Sequence, residues 1–373
     1  MTQALVATGV DQPLEVREVE LRPLTSVDVR VRIAGVGVCH SDLSMVNGTL
    51  RPSYPLVLGH EAAGVVTEVG DRVTAVAVGD HVVLNWAVPC RTCWWCTHDE
   101  PWLCAAIEGT TGTPGGTLDD GAPFEACLGL GAMAEEVVCP AAAVVPIPDE
   151  VPLEEAALLG CAILTGVGAA HNAAQVRPGD SVLVLGLGGI GLASIAGSRI
   201  AGAGRIVAVD TSPAKEALAR AAGATDFLVA DRSQPASALG KQLRAMTDGR
   251  GVDAALECVG SAGTIRQAWT SVRRGGRCVV VGIGPQDQQV TFNPLELFHF
   301  SRTLVSSVYG NSDPERDIPV LVDHLREGRL DLAALVTDRV DLSGVPAAFE
   351  RMARGEGGRT LVVFSGATRS TRG

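Results

Sequence analysis

The chain has 373 residues, 46% of them hydrophobic, and a formal charge of -12 at pH 7. That length suits two domains of ordinary size. The acidity argues against a nucleic-acid partner, which needs clustered Lys and Arg, and leaves no basic patch for a membrane surface. No run of about 18 apolar residues suggests a transmembrane helix, and Met1 to Gly9 carries no signal-peptide pattern, so a cytoplasmic protein is expected.

Short Val-rich runs come first. Val27 to Ile33 alternates with period two, and Gly64 to Gly70 and His81 to Leu84 continue the pattern of half-buried strands. Gly70-Asp71 and Gly79-Asp80 are turn signals between them. The first third is therefore β-rich. Cys104 to Gly131 is rich in Gly, Thr and Asp and weakly patterned, and reads as a long surface excursion. Strand residues resume at Glu136 to Val138. An apolar helix is expected over Leu153 to Leu159, just before Cys161.

After Pro178-Gly179-Asp180 the pattern changes. Ser181 to Leu185 is continuously apolar, as in a strand covered on both faces. A glycine turn and a helix from about Gly189 to Ala201 follow. Arg205 to Asp210 is a strand and Pro213 to Ala222 a helix. Further strands are expected at Phe227 to Val229, Asp253 to Glu257, Cys278 to Gly282 and Thr303 to Ser307. Six strands alternating with helices make a parallel α/β sheet. The tail from Asp313 to Phe364 returns to helix and short strand, and the end from Gly366 on reads as frayed.

Gly186-Leu187-Gly188-Gly189-Ile190-Gly191 fits the dinucleotide pattern G-x-G-x-x-G, in its confirming context between strand and helix. The first glycine permits the tight turn, the second lets backbone approach a diphosphate, and the third allows helix and strand to pack closely. Asp210 ends the next strand, where a carboxylate accepts the ribose hydroxyls and repels a 2'-phosphate. NAD is expected rather than NADP.

Ten cysteines in a chain this long are not a disulfide framework. Cys90, Cys93, Cys96 and Cys104 form C-x2-C-x2-C-x7-C. Four thiolates in one loop suit a closed, structural zinc site, with an iron-sulfur cluster as the competing reading. Cys39 and His60 are borderline-soft ligands that a fold must bring together, with Asp42 and Glu61 close by in sequence. Alone, that pair reads more readily as a buried thiol and an unrelated polar turn. His81, His98, His171, His299 and His324 read as structural, and Cys127, Cys139, Cys258 and Cys278 as packing residues.

Gly59-His60-Glu61-Ala62-Ala63-Gly64, the four-cysteine loop, Gly160-Cys161 with Thr165-Gly166, the dinucleotide turn and Gly358-Arg359-Thr360 together resemble the zinc-dependent alcohol dehydrogenases. These belong to the medium-chain dehydrogenase/reductase superfamily. The resemblance runs nearly the whole length. It implies a GroES-like catalytic domain over 1–163, completed by 306–373, with a Rossmann domain over 164–305 between. It implies a catalytic zinc on Cys39, His60 and Cys161, with Glu61 near the metal and Asp42 orienting the histidine. It makes Ser41 the hydroxyl that takes the substrate proton. His40, Thr165, Lys215 and Arg359 fall at cofactor-side positions. Ser44 stands where many members have a proton-relaying histidine, and Trp86 stands at a pocket-lining position.

Asn85-Trp86, Leu118 to Gly121 and Ser306 to Arg316 resemble an actinobacterial branch that includes mycothiol-dependent formaldehyde dehydrogenases. The implied activity is NAD-linked oxidation of a primary alcohol, aromatic ones included, to an aldehyde and the reverse. Oxidation of an S-(hydroxymethyl)thiol adduct is the alternative. A zinc-less quinone reductase and a non-catalytic NAD-sensing protein share the fold, but neither need keep the complete ligand set. The 104–131 segment resembles the inserted loop of dimeric members, so a homodimer is expected. The physiological substrate and the direction of reaction are not legible from the residues.

Overall fold

A computed structural model describes residues 1–110, 112–231, 233–285 and 287–364. The frayed end expected from Gly366 lies outside the described residues. The chain forms two compact units: Met1–Ala162 with Asp313–Glu327 and Val336–Gly373, and Ile163–Ser312 with Gly328–Leu335. The first unit therefore resumes at Asp313, later than the expected 306, because the strand Thr303–Ser306 belongs to the sheet of the second.

Among the described residues, the first unit holds a closed barrel and a mixed sheet. The sheet centres on the strand Asp28–Gly37, which pairs antiparallel with Ala62–Val69 on one side. It also pairs with Glu136–Pro140 and with Arg359–Val363, so the C-terminal strand completes the sheet built by the first third. Period-two burial in these strands puts Val29, Val31 and Ile33 into the core with Leu58, Leu84 and Met133. The barrel is built from Thr2–Ala7, Glu15–Leu21, Thr113–Leu118, Pro123–Ala126 and Leu56–Val57. It encloses a small core of Val6, Val19, Val57 and Phe124.

The segment from Cys104 to Gly131 thus differs in part from the expected surface excursion, because Thr113–Leu118 and Pro123–Ala126 are barrel strands. Its Gly, Thr and Asp residues read as loop signals, yet two of the glycines serve close packing. A Cβ on Gly116 would sit 2.0 Å from the carbonyl of Glu20, and one on Gly115 would sit 2.1 Å from the Phe124 ring. The hairpin is glycine-rich because its neighbours leave no room for side chains. The helix expected over Leu153 to Leu159 also differs: it is α-helical over Leu153–Ala156 and tightens to a 3-10 turn over Ala157–Gly160.

The second unit is the parallel sheet. Its strand order is Asp226–Val229, Arg205–Asp210, Ser181–Leu185, Val252–Glu257, Val272–Val280, Thr303–Ser306. All neighbours run parallel. This is the doubly wound order, whose strand sequence reverses beside Ser181–Leu185 and leaves a binding crevice at the carboxyl ends. The strand expected from Cys278 begins at Val272. Gly275, at φ +67, and Gly276 carry the irregular start where the register against Val252–Glu257 shifts.

Candidate metal centres and dinucleotide turn

Three distant pieces of the first unit bring a donor set together. Cys39 precedes the helix His40–Val46. His60 follows Gly59, whose φ of +95 and close approach to Met133 require glycine there. Cys161 follows the 3-10 turn that ends at Gly160, where a Cβ would sit 2.4 Å from the carbonyl of Leu84. The absence of a side chain at Gly160 therefore lets the turn before Cys161 pack on the strand His81–Leu84. All three side chains are buried, and their ligand atoms lie within 4.8 Å of one another.

The separations fit zinc. Tetrahedral bonds of about 2.3 Å to sulfur and 2.0 Å to nitrogen put a thiolate and an imidazole about 3.5 Å apart. Cys161 Sγ lies 3.7 Å from His60 Nε2. The other ring nitrogen, Nδ1, lies 3.1 Å from Asp42 Oδ1. Paired so, Nδ1 carries the proton and Nε2 is left to the metal, with the tautomer inferred from these partners. The two thiols share their proton unevenly. The hydrogen bond from Cys161 holds Cys39 well below the usual thiol range, and that same bond, with burial, pushes Cys161 well above it. A divalent cation between them removes the conflict, because a coordinating thiol is deprotonated outright.

Glu61 is fully buried beside this set. Burial raises its carboxyl to about 7 against the pull of Arg359. Arg359, on the strand Arg359–Val363, donates from Nη2 to Glu61 Oε2 and is 5% exposed. Gly37 makes room for the pair: a Cβ there would sit 2.6 Å from Glu61 Cδ and 2.9 Å from Arg359 Nη2. The guanidinium assigned by resemblance to the cofactor side is thus held on a carboxylate within the first unit. Ser41 is half-buried and His40 exposed in the first turn of the same helix as Asp42. The Trp86 ring stands edge-on to His60, with centroids 6.5 Å apart.

The second donor set is local. Cys90, Cys93, Cys96 and Cys104 gather their sulfurs within 4.8 Å. Cys93 Sγ and Cys104 Sγ are 3.8 Å apart, the edge of a tetrahedron with zinc-sulfur bonds of about 2.3 Å. Backbone N–H groups of Cys93 and Cys104's partner Cys90 point at the sulfurs, Cys93 N donating to Cys90 Sγ and Cys90 N to Cys104 Sγ. The hydroxyl and N–H of Thr92 bring the Cys90 thiol down to about 5, while burial pushes Cys96 up to about 12. All are free cysteines. Arg91 ties the loop to the helix Pro314–Arg326 through Asp313 at its N-terminus and Glu315 within its first turn.

In the second unit each glycine of the turn has a separate reason. Gly186 has φ +85. Gly188 precedes the helix Gly189–Ile200 and faces open space. A Cβ on Gly191 would sit 1.9 Å from the carbonyl of Gly186. The helix start has no side-chain cap, so its first N–H groups are available to an anion. Asp210 closes the turn from below: Oδ2 accepts from Leu187 N at 2.8 Å and Oδ1 from Ser212 N at 2.9 Å. Lys215 is buried near it, and that burial lowers its ammonium pKa while Asp210 opposes the shift. Thr165 is buried in the helix Ala162–Gly168, beside Gly166, which packs on Ile190 and Ala193 of the turn's helix.

Comparison with known proteins agrees with this geometry. Residues 25–149 match the family model of the alcohol dehydrogenase GroES-like domain. Residues 189–327 match that of the zinc-binding dehydrogenases. An S-(hydroxymethyl)glutathione dehydrogenase of Synechocystis sp. is 36% identical over 372 residues, covering 97% of this chain and 100% of its own. The crystal structure of an alcohol dehydrogenase zinc-binding domain protein from Burkholderia ambifaria superposes with TM-score 0.91 at 30% identity, over 97% of this chain and 98% of that one. Benzyl alcohol dehydrogenase from Acinetobacter calcoaceticus gives TM-score 0.89 at 27% identity, over 98% and 99%.

The chain belongs to the zinc-dependent alcohol dehydrogenase family of the medium-chain dehydrogenase/reductase superfamily. It is an NAD-dependent zinc oxidoreductase of the alcohol dehydrogenase type, with one catalytic and one structural zinc site. No single helix among the described residues is long and apolar enough to cross a membrane.

Proposed function

We propose that the protein oxidises a primary alcohol to an aldehyde, and catalyses the reverse, with the catalytic zinc on Cys39, His60 and Cys161. The observation that carries this reading is the set of three buried donors with His60 Nδ1 committed to Asp42. Three protein ligands, rather than four, are the mark of a catalytic zinc. When bound, the zinc would supply Lewis-acid polarisation of the hydroxyl and NAD would supply the hydride acceptor.

The chain's own residues do the rest. Asp42 holds His60 in the Nδ1–H tautomer. The Ser41 hydroxyl takes the substrate proton at Oγ and passes it to solvent. Ser44 stands where relatives keep a histidine, so water reached through Ser44, or the exposed His40, completes the exit. Residues 186–191 hold the diphosphate, and Asp210 selects the unphosphorylated ribose. In this reading the first unit carries the catalytic role and the second the cofactor role. The reduced-thiol chemistry of the loop suits the cytoplasm.

The indole beside His60 favours an aromatic or compact apolar alcohol. A second reading, oxidation of an S-(hydroxymethyl)thiol adduct, draws on the name of the curated relative. NADH absorbance separates the two. Benzyl and short primary alcohols are expected to turn over without thiol. If only formaldehyde premixed with a low-molecular-weight thiol is oxidised, the second reading replaces the first.

The protein also acts as a homodimer in this reading. The sheet of the second unit ends on the strand Thr303–Ser306, and Leu304 is exposed on it. The preceding helix Pro294–Phe300 exposes Leu295 and Phe298, the latter at 81%. An apolar sheet edge of this kind is where a second copy adds its own strand. The 104–131 segment gives two strands, Thr113–Leu118 and Pro123–Ala126, to the barrel. Sedimentation equilibrium is expected to give twice the chain mass, and a monomer would sink the dimer.

A further inference from the structure

Cys127 reads from sequence as a packing residue, yet its thiol sits against the support of the catalytic donor set. It follows the barrel strand Pro123–Ala126 and is 1% exposed. Its Sγ lies 3.6 Å from Asp42 Oδ1 and 3.5 Å from Met45 Sδ. Asp42 is completely buried. Its Oδ1 accepts the N–H of Gly59 at 3.1 Å and faces His60 Nδ1 at 3.1 Å, while its Oδ2 has no hydrogen-bond partner. Asp42, His60 and Cys127 present donor atoms within 4.8 Å of one another, all on the side of the imidazole away from Cys161.

A buried carboxylate is costly unless hydrogen bonds satisfy it, and this one has an oxygen unserved. Each donor it keeps therefore matters. A thiol is a weak donor to a neutral acceptor, but its bond to a carboxylate is charge-assisted.

We propose that Cys127 is a positioning residue for the catalytic zinc ligand His60, donating its S–H to Asp42 so that the carboxylate stays aimed at Nδ1. The inference rests on the reading that Cys39, His60 and Cys161 hold the catalytic zinc. The thiol is not one of the three donors Cys39, His60 and Cys161. It acts through Asp42, and Asp42 through the imidazole. Partners that orient a ligand in this way change metal affinity by about 10- to 100-fold when removed.

Two substitutions separate this role from packing. Cys127→Val is close in volume, apolar and without a donor. Cys127→Ser keeps a donor and a smaller side chain. If the site is only packing, valine is tolerated and the buried hydroxyl of serine is the harmful change. A positioning role reverses that order. The zinc-loaded protein is titrated with a chelator, and catalytic zinc release is read against release from the four-cysteine loop as an internal reference. Cys127→Val is expected to lose the catalytic zinc at about tenfold lower chelator strength or less, and Cys127→Ser to stay within about threefold of the parent. Equal retention by the valine variant, or a serine variant as weak as valine, overturns the proposal. Cys161→Ala, run alongside, must weaken the same release step. If it does not, the ligand assignment falls and this proposal with it, whereas failure confined to the Cys127 variants leaves that assignment standing.

Discussion

Replacing Cys161 by Ala is expected to abolish turnover while NAD binding persists. The side chain is one of three buried donors, and its sulfur sits 3.7 Å from His60 Nε2. Its loss leaves two protein ligands, too few to hold zinc against solvent in a buried site. The Lewis-acid contribution is several kcal/mol, and each 1.36 kcal/mol is a factor of ten, so the fall in kcat is on the order of a thousandfold or more. The dinucleotide turn lies in the second compact unit, whose glycine contacts are made within itself. NADH fluorescence titration should therefore give an unchanged Kd, within about threefold, as expected for independent sites. Metal analysis of the same sample should show one zinc site emptied and the other full. Undiminished turnover would refute the ligand assignment.

The second large effect is on the four-cysteine loop. Cys104 is buried, accepts the N–H of Cys90 at 3.2 Å and lies 3.8 Å from the sulfur of Cys93. Cys104→Ala removes one corner of the tetrahedron. Structural zinc binding contributes on the order of 10 kcal/mol to local folding, and much of that is lost when the site opens. The loop also anchors Arg91 on Asp313 and Glu315, so the loss is expected to loosen the start of the helix Pro314–Arg326 as well. Limited proteolysis should cut the variant between residues 90 and 104 where the parent resists. The catalytic zinc should remain. A variant that keeps its full metal content and its resistance would show that the four sulfurs are not a metal site.

What the sequence disclosed, and what it hid, follows from how far each signal reaches along the chain. The four-cysteine loop is legible because its ligands lie within one short segment. The parallel sheet is legible because strands buried on both faces read as unbroken apolar runs, Ser181–Leu185 above all. Each glycine of the turn then fell where its expected reason applied: positive φ at Gly186, open approach at Gly188, close packing at Gly191.

The barrel was hidden for the opposite reason. Thr113–Leu118 pairs with a strand far back in the chain, Val19 facing Leu118, and its glycines look like loop punctuation. Only the partner backbone shows that a side chain at Gly116 would collide with Glu20. The catalytic donors are likewise too widely spaced for a local motif, and resemblance rather than spacing brought Cys161 to Cys39 and His60. Cys127 gave no signal, since a buried thiol looks the same whether it packs or donates and Asp42 is distant in sequence. The pairing of Arg359 with Glu61 is likewise visible only when the C-terminal strand joins the sheet.

The most direct test is the metal content of freshly purified protein, measured together with its alcohol turnover. Two zinc ions per chain are expected, one for each donor set, with activity falling in step as the more labile ion is withdrawn. Protein that holds no transition metal and still oxidises alcohol at full rate would contradict a catalytic zinc on Cys39, His60 and Cys161.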